Sequence, residues 1–384
     1  MLTAIAASVQ FSLPARAEDP AVEHVMVYHQ KGRFGGWPAN HGIWSWGNEI
    51  LVGFSAGYHE DRGPAFHNID HDKPEEHLLA RSKDGGKTWS IENPAKQGVL
   101  LGTAGMRHGI VPPGYTEPEP IECPGGIDFT HPDFAMTCRM AGVHTGTSRF
   151  YFSYDRGHSW KGPFLLPLFD QIGIAARTDY IINGPADCLL FLTAAKSNSR
   201  EGRLICVRTV DGGKTWKFVS FIGPEPKGYS IMPSTARLSP RQLVTTVRRL
   251  EERTDGGGVD DTAKRKSWIE AWKSTDDGQS WSFLNEPVPD TGEGNPPALI
   301  RLADGRLCLT YGIRAKPFGM FARLSGDGGK SWSEQIVLRN DGGGRDVGYP
   351  RSVQRPDGRV VMIYYFWDEK TGPERYIAAS IWMP

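Results

Sequence analysis

The sequence has no excess of charge of either sign, because 44 basic residues balance 44 acidic ones. Nucleic acid and anionic membrane surfaces are therefore not expected partners. Cysteine is scarce, with five residues and no C-x-x-C spacing of the kind that zinc sites use. Cys188 and Cys206 lie in apolar runs and are expected as core thiols, whereas Cys123 and Cys138 flank a loop and are able to pair in an oxidising compartment. We expect neither a metal nor a cofactor.

Long apolar runs are also missing, and the stretch at the N-terminus, residues 1–17, is too short to span a bilayer. This stretch is mostly small and apolar, and it ends in Ala15-Arg16-Ala17, an A-x-A cleavage pattern. It lacks a basic n-region, so a signal peptide here would be trimmed or mis-started. We predict a secreted or periplasmic protein in which residues 22–384 form a single domain, and the oligomeric state stays open.

One pattern, Ser/Thr-x-Asp-x-Gly-x-Ser/Thr-Trp, occurs five times along the chain. The copies are Ser82–Trp89, Ser153–Trp160, Thr209–Trp216, Ser274–Trp281 and Ser325–Trp332. Such recurrence indicates an array of similar supersecondary units. In each copy the Asp accepts bonds from the amides of its own turn, the Gly supplies a positive φ and the Trp covers the turn. Apolar, β-branched and aromatic runs precede the copies, so each copy is predicted to join two antiparallel strands.

These copies resemble the Asp-box, or BNR, repeats of the sialidase superfamily. The resemblance implies an all-β, six-bladed β-propeller with the box between the third and fourth strands of a blade. Six blades of about 64 residues account for nearly all of the 384-residue chain. A ring without exposed edges is most simply closed by pairing the two chain ends, so we predict Val25–His29 as the outer strand of the sixth blade.

Ligands of propellers usually sit where the inner strands begin, because all blades converge there. Inner strands are predicted at His41–Trp46, Phe134–Cys138, Asp179–Ile182, Ser234–Leu238, Ala298–Leu302 and Ser352–Gln354. We predict that the polar residues at the starts of these strands form a binding site; they include Asn40, His41, His131, Asp133, Arg177, Asp179 and Tyr349.

The resemblance also implies roles for single residues. Tyr349 stands in a segment similar to the one that carries the nucleophilic tyrosine of sialidases. Arg248 and Arg314 stand where the family places two of the three arginines that grip the carboxylate of the sugar. The sequence departs from the family at two points, because Pro38-Ala39-Asn40 replaces the segment with the first arginine and Met232-Pro233-Ser234 replaces the one with the glutamate that polarises the tyrosine.

Neighbouring blades offer replacements for the missing groups. Arg177 is a candidate for the third cation, and Asp133, Asp179 or Asp61 is a candidate for the acid or base of glycosyl transfer. The resemblance thus predicts an exo-acting glycoside hydrolase that removes terminal acidic sugars from a glycan substrate, with Tyr349 as the nucleophile.

Two other kinds of function fit the same residues, and the first is a polysaccharide lyase or another glycosidase that acts on uronate-containing glycans. His41, His131 and Tyr349 with an arginine are also the parts of a polysaccharide lyase, in which a cation neutralises a uronate carboxylate and His or Tyr removes the α-proton. A glycan-binding propeller without catalysis is the second alternative, and the aromatic side chains of Trp37, Tyr58 and Phe318 would serve it.

Three segments are predicted to decorate the ring. The His- and Asp-rich segment His59–His77 is a solvated loop, a metal site or the source of Asp61 for the site. Val111–Ile127 is rich in Pro and Gly and is predicted as a lid. Glu251–Lys266 is predicted to extend a hairpin of the fourth blade.

Overall fold

The computed structural model describes residues 21–64, 66–97, 114, 116, 118–252 and 265–384. The predicted signal segment, residues 1–17, lies outside this range. Nearly all regular structure is β, and the strands form six antiparallel sheets arranged as a six-bladed propeller. The predicted fold is therefore confirmed. Two short 3-10 turns, Pro38–Asn40 and Pro94–Gln97, are the helical elements of the described residues.

The first strand, β1 (Glu23–Tyr28), belongs to the last sheet. Blade 1 contains β2 (Arg33–Gly36), β3 (Ile43–Trp46), β4 (Glu49–Tyr58), β5 (Glu76–Ser82) and β6 (Ser90–Glu92). Blade 2 contains β7 (Ala135–Met140), β8 (Ser148–Ser153) and β9 (Lys161–Leu166). Blade 3 contains β10 (Ile174–Ala175), β11 (Tyr180–Gly184), β12 (Asp187–Ala195), β13 (Glu201–Thr209) and β14 (Lys217–Phe221).

The second half of the ring is more regular. Blade 4 contains β15 (Tyr229–Ser239), β16 (Gln242–Glu252), β17 (Arg265–Ser274) and β18 (Ser282–Val288). Blade 5 contains β19 (Ala298–Arg301), β20 (Leu307–Ile313), β21 (Gly319–Ser325) and β22 (Ile336–Arg339). Blade 6 contains β23 (Gly348–Gln354), β24 (Val360–Asp368) and β25 (Gly372–Trp382), with β1 as its outer strand.

The ring is closed by its two ends, as predicted. Strand β1 pairs antiparallel with β25, and Val25 lies opposite Ala379 in this pairing. The second strand of each blade is buried on both faces; β24, for example, has six consecutive residues, Val361–Phe366, without measurable exposure. Apolar clusters between neighbouring blades form the core, so the ring is held together by the contacts of blade on blade.

The Asp boxes are self-contained turns, and the fifth copy shows how they are built. The Ser325 hydroxyl donates to Asp327 Oδ1 and accepts the backbone N–H of Gly329, both at 2.8 Å. Asp327 in turn accepts the N–H of Ser331 at 2.9 Å and its hydroxyl at 2.6 Å. Gly329 has a φ of +87°, which an L side chain rarely adopts. The other four copies repeat these bonds.

Ser325→Ala is expected to lower the free energy of unfolding by about 1–3 kcal/mol, because the buried N–H of Gly329 loses its acceptor. Urea unfolding at equilibrium measures this change. Ser282→Ala is the control, since its exposed hydroxyl makes only a 3.3 Å bond to the Lys273 carbonyl. Equal losses in the two variants would contradict the role assigned to the box.

The boxes mark one end of the propeller, which we call the box end. In blade 4, Leu243 at the start of β16 pairs with Ser274, the first residue of a box. Strand β16 then runs away from the box and carries Arg248 toward the opposite end of the ring. We call that opposite end the mouth.

Blade 2 departs from the prediction. Ala135 at the start of β7 pairs with Ser153, the first residue of the second box, so β7 starts at the box end. It therefore runs in the direction of a second strand, and the prediction of Phe134–Cys138 as an inner strand is wrong. Within the described residues blade 2 has no strand inside β7. Thr137 of β7 instead reaches the centre of the ring, where its hydroxyl donates to the His41 carbonyl at 3.0 Å.

The described part of the predicted lid also lies away from the mouth. Ile121 pairs with Phe164 of β9, and the N–H of Ile127 donates to Gly212 in the third box. Cys123 and Cys138 are both buried and unpaired, so the suggested disulfide does not form. The predicted hairpin of blade 4 continues to the pair Glu252 and Arg265, and its tip, residues 253–264, lies outside the described residues.

Candidate functional site

The mouth is organised around Tyr349, near the start of β23. Its N–H donates to Asn295 Oδ1 at 2.8 Å, and the buried Asn295 amide donates to the Val347 carbonyl at 2.9 Å. Tyr349 has a φ of +53°, a conformation that costs a non-glycine residue about 1–3 kcal/mol. The bonds of Asn295 thus hold the tyrosine in a strained backbone conformation that fixes its direction.

Two arginines from neighbouring blades flank this tyrosine, as the sequence predicted. Arg248 Nη1 donates to the Tyr349 hydroxyl at 3.1 Å, and an N–H aimed at this oxygen stabilises negative charge on it. The guanidinium carbon of Arg314 lies 5.3 Å from the centre of the Tyr349 ring. Both arginines are buried, and within the described residues the Nε of Arg248 has no hydrogen-bond partner.

Behind Arg314 lies a buried carboxylate that the sequence analysis did not single out. Asp346 is 1% exposed and bonds to His67 Nδ1 at 2.5 Å, to the Tyr365 hydroxyl at 2.6 Å and to Arg375 Nε at 2.9 Å. The Tyr365 hydroxyl also accepts a bond from Arg314 Nη2, so Tyr365 links the carboxylate to the arginine.

Charge decides the ionisation of this cluster. Burial alone raises the pKa of Asp346, but the hydrogen bond from His67 and the positive charges of Arg375 and Arg314 together outweigh it and hold the pKa of Asp346 below its ordinary value. Burial lowers the pKa of His67, although the attraction of Asp346 opposes this shift. Near neutral pH the pair therefore consists of a carboxylate and a neutral imidazole whose Nδ1 carries the proton.

A third arginine stands beside the position of the missing one. Arg177 Nε donates to Asn40 Oδ1 at 3.1 Å, and its Nη1 is paired with Glu201, which begins β13. Ala39, next to Asn40, packs against Met232 and Tyr349 in one small apolar cluster. Arg177 and Asn40 therefore lie near Tyr349 at the mouth, with Glu201 as an acidic neighbour that sequence reasoning missed.

Two other predicted residues lie deeper in the ring. Asp179 is buried, accepts both the N–H and the hydroxyl of Thr235, and has a pKa raised to about 7 by burial. It lines a cavity of about 230 Å³ near the axis together with Arg351. His41 is also buried, with Nε2 3.1 Å from the Ser55 hydroxyl, and burial lowers its pKa well below the ordinary value. Both serve the interior of the ring and do not face Tyr349.

His131 and Asp133 lie at the box end, so their predicted place at the mouth is wrong. Asp133 forms an ion pair with Arg156 of the second box at 2.6 Å, and its carbonyl accepts the N–H of the same residue. The centre of the His131 ring lies 4.6 Å from that of Tyr154, which belongs to the same box as Arg156. The reversed direction of β7 is the physical reason, because it carries the residues before the strand to the end opposite Tyr349.

The loop between β4 and β5 divides into an exposed and a buried part. Asp61 is exposed and accepts the N–H of Gly63 at 2.9 Å, so it stabilises its own turn. His67 lies farther along the same loop and reaches Asp346. In the described part of the chain no three His, Cys, Asp or Glu side chains are grouped so as to hold a metal ion.

Two of the three aromatic side chains that were predicted to bind a glycan, Trp37 and Tyr58, are covered by other residues. Trp37 is 2% exposed and packs edge to face against His67, at 5.3 Å between ring centres. Tyr58 is covered by Arg33, whose guanidinium lies 4.3 Å from the ring centre. Neither ring offers an open face for stacking on a sugar.

The fold and the site together define a six-bladed propeller of the sialidase type, with a tyrosine between two arginines at the mouth. Residues 134–362 match the family model of the BNR repeat-like domain, and this match spans more than half of the chain. The protein belongs to that family.

Solved structures share the fold. A protein of unknown function from Dyadobacter fermentans DSM 18053 has a TM-score of 0.66 at 22% identity, covering 95% of this chain and 99% of that one. The NanB sialidase of Streptococcus pneumoniae has a TM-score of 0.58 at 13% identity, covering 94% and 70%. The α-L-arabinanase of Penicillium chrysogenum has a TM-score of 0.57 at 11% identity, covering 94% and 98%.

No curated protein matches the chain. The described residues contain no helix with the length and apolar character that a membrane span requires.

Proposed function

We propose that the protein is an exo-acting glycoside hydrolase that removes a terminal acidic sugar from a glycan, with Tyr349 as the nucleophile. The observation that supports this most is the bond between Arg248 and the Tyr349 hydroxyl, with Arg314 on the other side of the same ring. The similar folds of a sialidase and an arabinanase support glycan chemistry in general. Export of the protein is part of the same proposal.

The charges at the mouth favour an anionic sugar. Arg248 and Arg314 are both buried beside Tyr349, and guanidinium groups of this kind pair strongly with a carboxylate. Arg177 is held by Asn40 and Glu201, and the carboxylate of Glu201 balances its charge, so Arg248 and Arg314 are the arginines that favour an anion. Tyr349 would attack the anomeric carbon of a sugar that is oriented by its carboxylate.

A polysaccharide lyase is the second candidate, and one observation favours it. The pair of His67 and Asp346 presents a neutral imidazole, the form that accepts a proton, at the same mouth as Tyr349 and Arg314. In a β-elimination the imidazole would take the α-proton of a uronate and the Tyr349 hydroxyl would protonate the leaving oxygen. The residues first considered for this base, His41 and His131, are buried in the ring and at the box end.

A panel of sialosides and uronate-containing oligosaccharides tests these proposals. Each reaction is read for free acidic sugar and for the ultraviolet absorbance of an unsaturated uronate. Free sugar without absorbance supports the hydrolase, and an absorbing product replaces it with the lyase. Binding without either product would leave a glycan-binding propeller and would contradict both reactions.

Arg248→Lys is expected to raise KM for the acidic sugar about tenfold or more, because lysine lacks the two parallel N–H donors that a carboxylate pairs with. Steady-state kinetics on the reactive member of the panel measures this. Arg241→Lys is the matched control, since Arg241 is exposed in the turn between β15 and β16 at the box end. An unchanged KM for Arg248→Lys would contradict its role in binding the carboxylate.

A further inference from the structure

We infer that His67, oriented by Asp346, is the residue that moves protons at the mouth of the propeller. This inference rests on the proposed function, and it names the group that takes the place of the missing glutamate. The geometry of the His67 and Asp346 pair carries it.

The first step of the argument is orientation. Asp346 lies just before β23, whereas His67 lies on the loop of blade 1, and the 2.5 Å bond between them joins two blades. The Asp346 carboxylate also bonds to Tyr365 and Arg375, so it has little freedom to turn. A histidine that donates from Nδ1 to a fixed carboxylate keeps its proton on that nitrogen, and Nε2 becomes the basic atom.

The second step is access. The side chain of His67 is 19% exposed, whereas Asp346 is buried. The His67 ring lies 6.5 Å from the ring of Tyr365, which itself lies 5.9 Å from the ring of Tyr349. His67 and Tyr349 thus both contact Tyr365, and Arg314, which bonds to the Tyr365 hydroxyl, lies beside Tyr349.

The third step is the charge around the imidazole. Asp346 favours the protonated ring, whereas burial and the positive charges nearby favour the neutral one. Among the described residues, Asp346, Arg314 and Arg345 are the charged groups that act on the imidazole, and Arg375 and Tyr365 bond to Asp346. The net effect is a His67 whose pKa is lowered, so it starts each cycle as a base.

The proton balance then closes without another reagent. Nε2 of His67 takes the proton of the Tyr349 hydroxyl as its oxygen bonds to the anomeric carbon, and the imidazolium gives this proton to the leaving glycosidic oxygen. In the second half, Nε2 takes a proton from water as the water oxygen bonds to the anomeric carbon. The bond to Tyr349 breaks, and the proton returns to the phenolate oxygen.

The test compares two substitutions of one residue. His67→Gln retains an N–H for Asp346 but lacks a basic nitrogen that accepts a proton, and it is expected to lower kcat/KM about 100-fold or more. His67→Ala is expected to be equally impaired, and added imidazole restores part of its activity. The acidic limb of the pH profile then follows the pKa of the added imidazole. His158→Ala is the control, because its side chain is exposed at the box end.

A downfield NMR signal of the Nδ1 proton, lost in His67→Gln and in Asp346→Asn, reports the pair without any substrate. Wild-type turnover together with near-normal activity of His67→Gln overturns the inference and leaves the proposed function intact. An inactive His67→Ala that is folded but gains nothing from imidazole also overturns it. A wild-type protein that turns over no member of the panel overturns the proposed function and this inference with it.

Discussion

Tyr349→Phe is expected to lower kcat/KM by about 100-fold or more while the affinity for the acidic sugar changes little. The phenol oxygen is the only part that the substitution removes, and it accepts the bond from Arg248 at 3.1 Å. The ring keeps its edge-to-face contact with Tyr365 and its place beside Arg314, so the arginines stay in position for the carboxylate. The expected loss holds whether the hydroxyl attacks the sugar or protonates the leaving oxygen, since general acid catalysis alone contributes about 10²–10⁴-fold.

Steady-state kinetics and equilibrium binding on the same preparation separate the two effects. Tyr28→Phe is the control, because Tyr28 ends the outer strand of blade 6 and its hydroxyl makes a long, exposed bond of 3.4 Å to Gln30. Turnover by Tyr349→Phe within a few-fold of the wild type would remove Tyr349 from the reaction.

Glu75→Gln is expected to raise the free energy of unfolding by about 5 kcal/mol above pH 8 and to change it little at pH 4. Glu75 is 3% exposed, and its Oε2 has no partner among the described residues. Burial therefore raises its pKa to about 8 from the ordinary 4.5, although a bond from Ser55 opposes the shift. The carboxyl group stays protonated in the folded protein at neutral pH.

The sign follows from proton counting. Between about pH 4.5 and 8 the unfolded chain has released the Glu75 proton and the folded protein has kept it, so stability falls as pH rises. Each unit of pKa shift changes the free energy of unfolding by about 1.4 kcal/mol, so the shift from 4.5 to about 8 gives the expected change of about 5 kcal/mol. Urea unfolding at several pH values measures the slope. Glu369→Gln serves as the control, because Glu369 is exposed in the turn after β24. If the free energy of unfolding depended on pH in the same way in Glu75→Gln and in the wild type, the raised pKa of Glu75 would be contradicted.

The sequence predicted the fold because the signal for it is local. Each box holds its Asp, Gly and Ser or Thr within eight residues, and the turn forms by bonds among those residues alone. The closing strand was predicted from the need to pair β1 with β25. Blade 2 was read wrongly because an apolar strand shows the same pattern in either direction. The position of the second box gives the direction of β7. Only two strands fit between Ala135 and Ser153, so the strand before the box is the third strand of its blade and β7 is the second.

The site was predictable where the resemblance supplied a position and not elsewhere. Tyr349, Arg248 and Arg314 were found in this way, and the structure brings them together. His67 and Asp346 lie 279 residues apart, and no pattern around either residue indicates the other. Their meeting depends on blade 1 lying beside blade 6, which is a property of the closed ring.

The closure of the ring also sets an order on the appearance of the site during synthesis. Strand β1 is synthesised before the other strands, and it stays unpaired until its partner strand β25, Gly372–Trp382, has been synthesised. Arg248 is synthesised 101 residues before Tyr349, so a growing chain contains this arginine long before the tyrosine to which it donates a hydrogen bond. A chain that stops before Gly372 would keep an open blade edge, which favours aggregation, even if it already contained Tyr349. The contact between Arg248 and Tyr349 inside a closed ring is therefore a property of the complete chain.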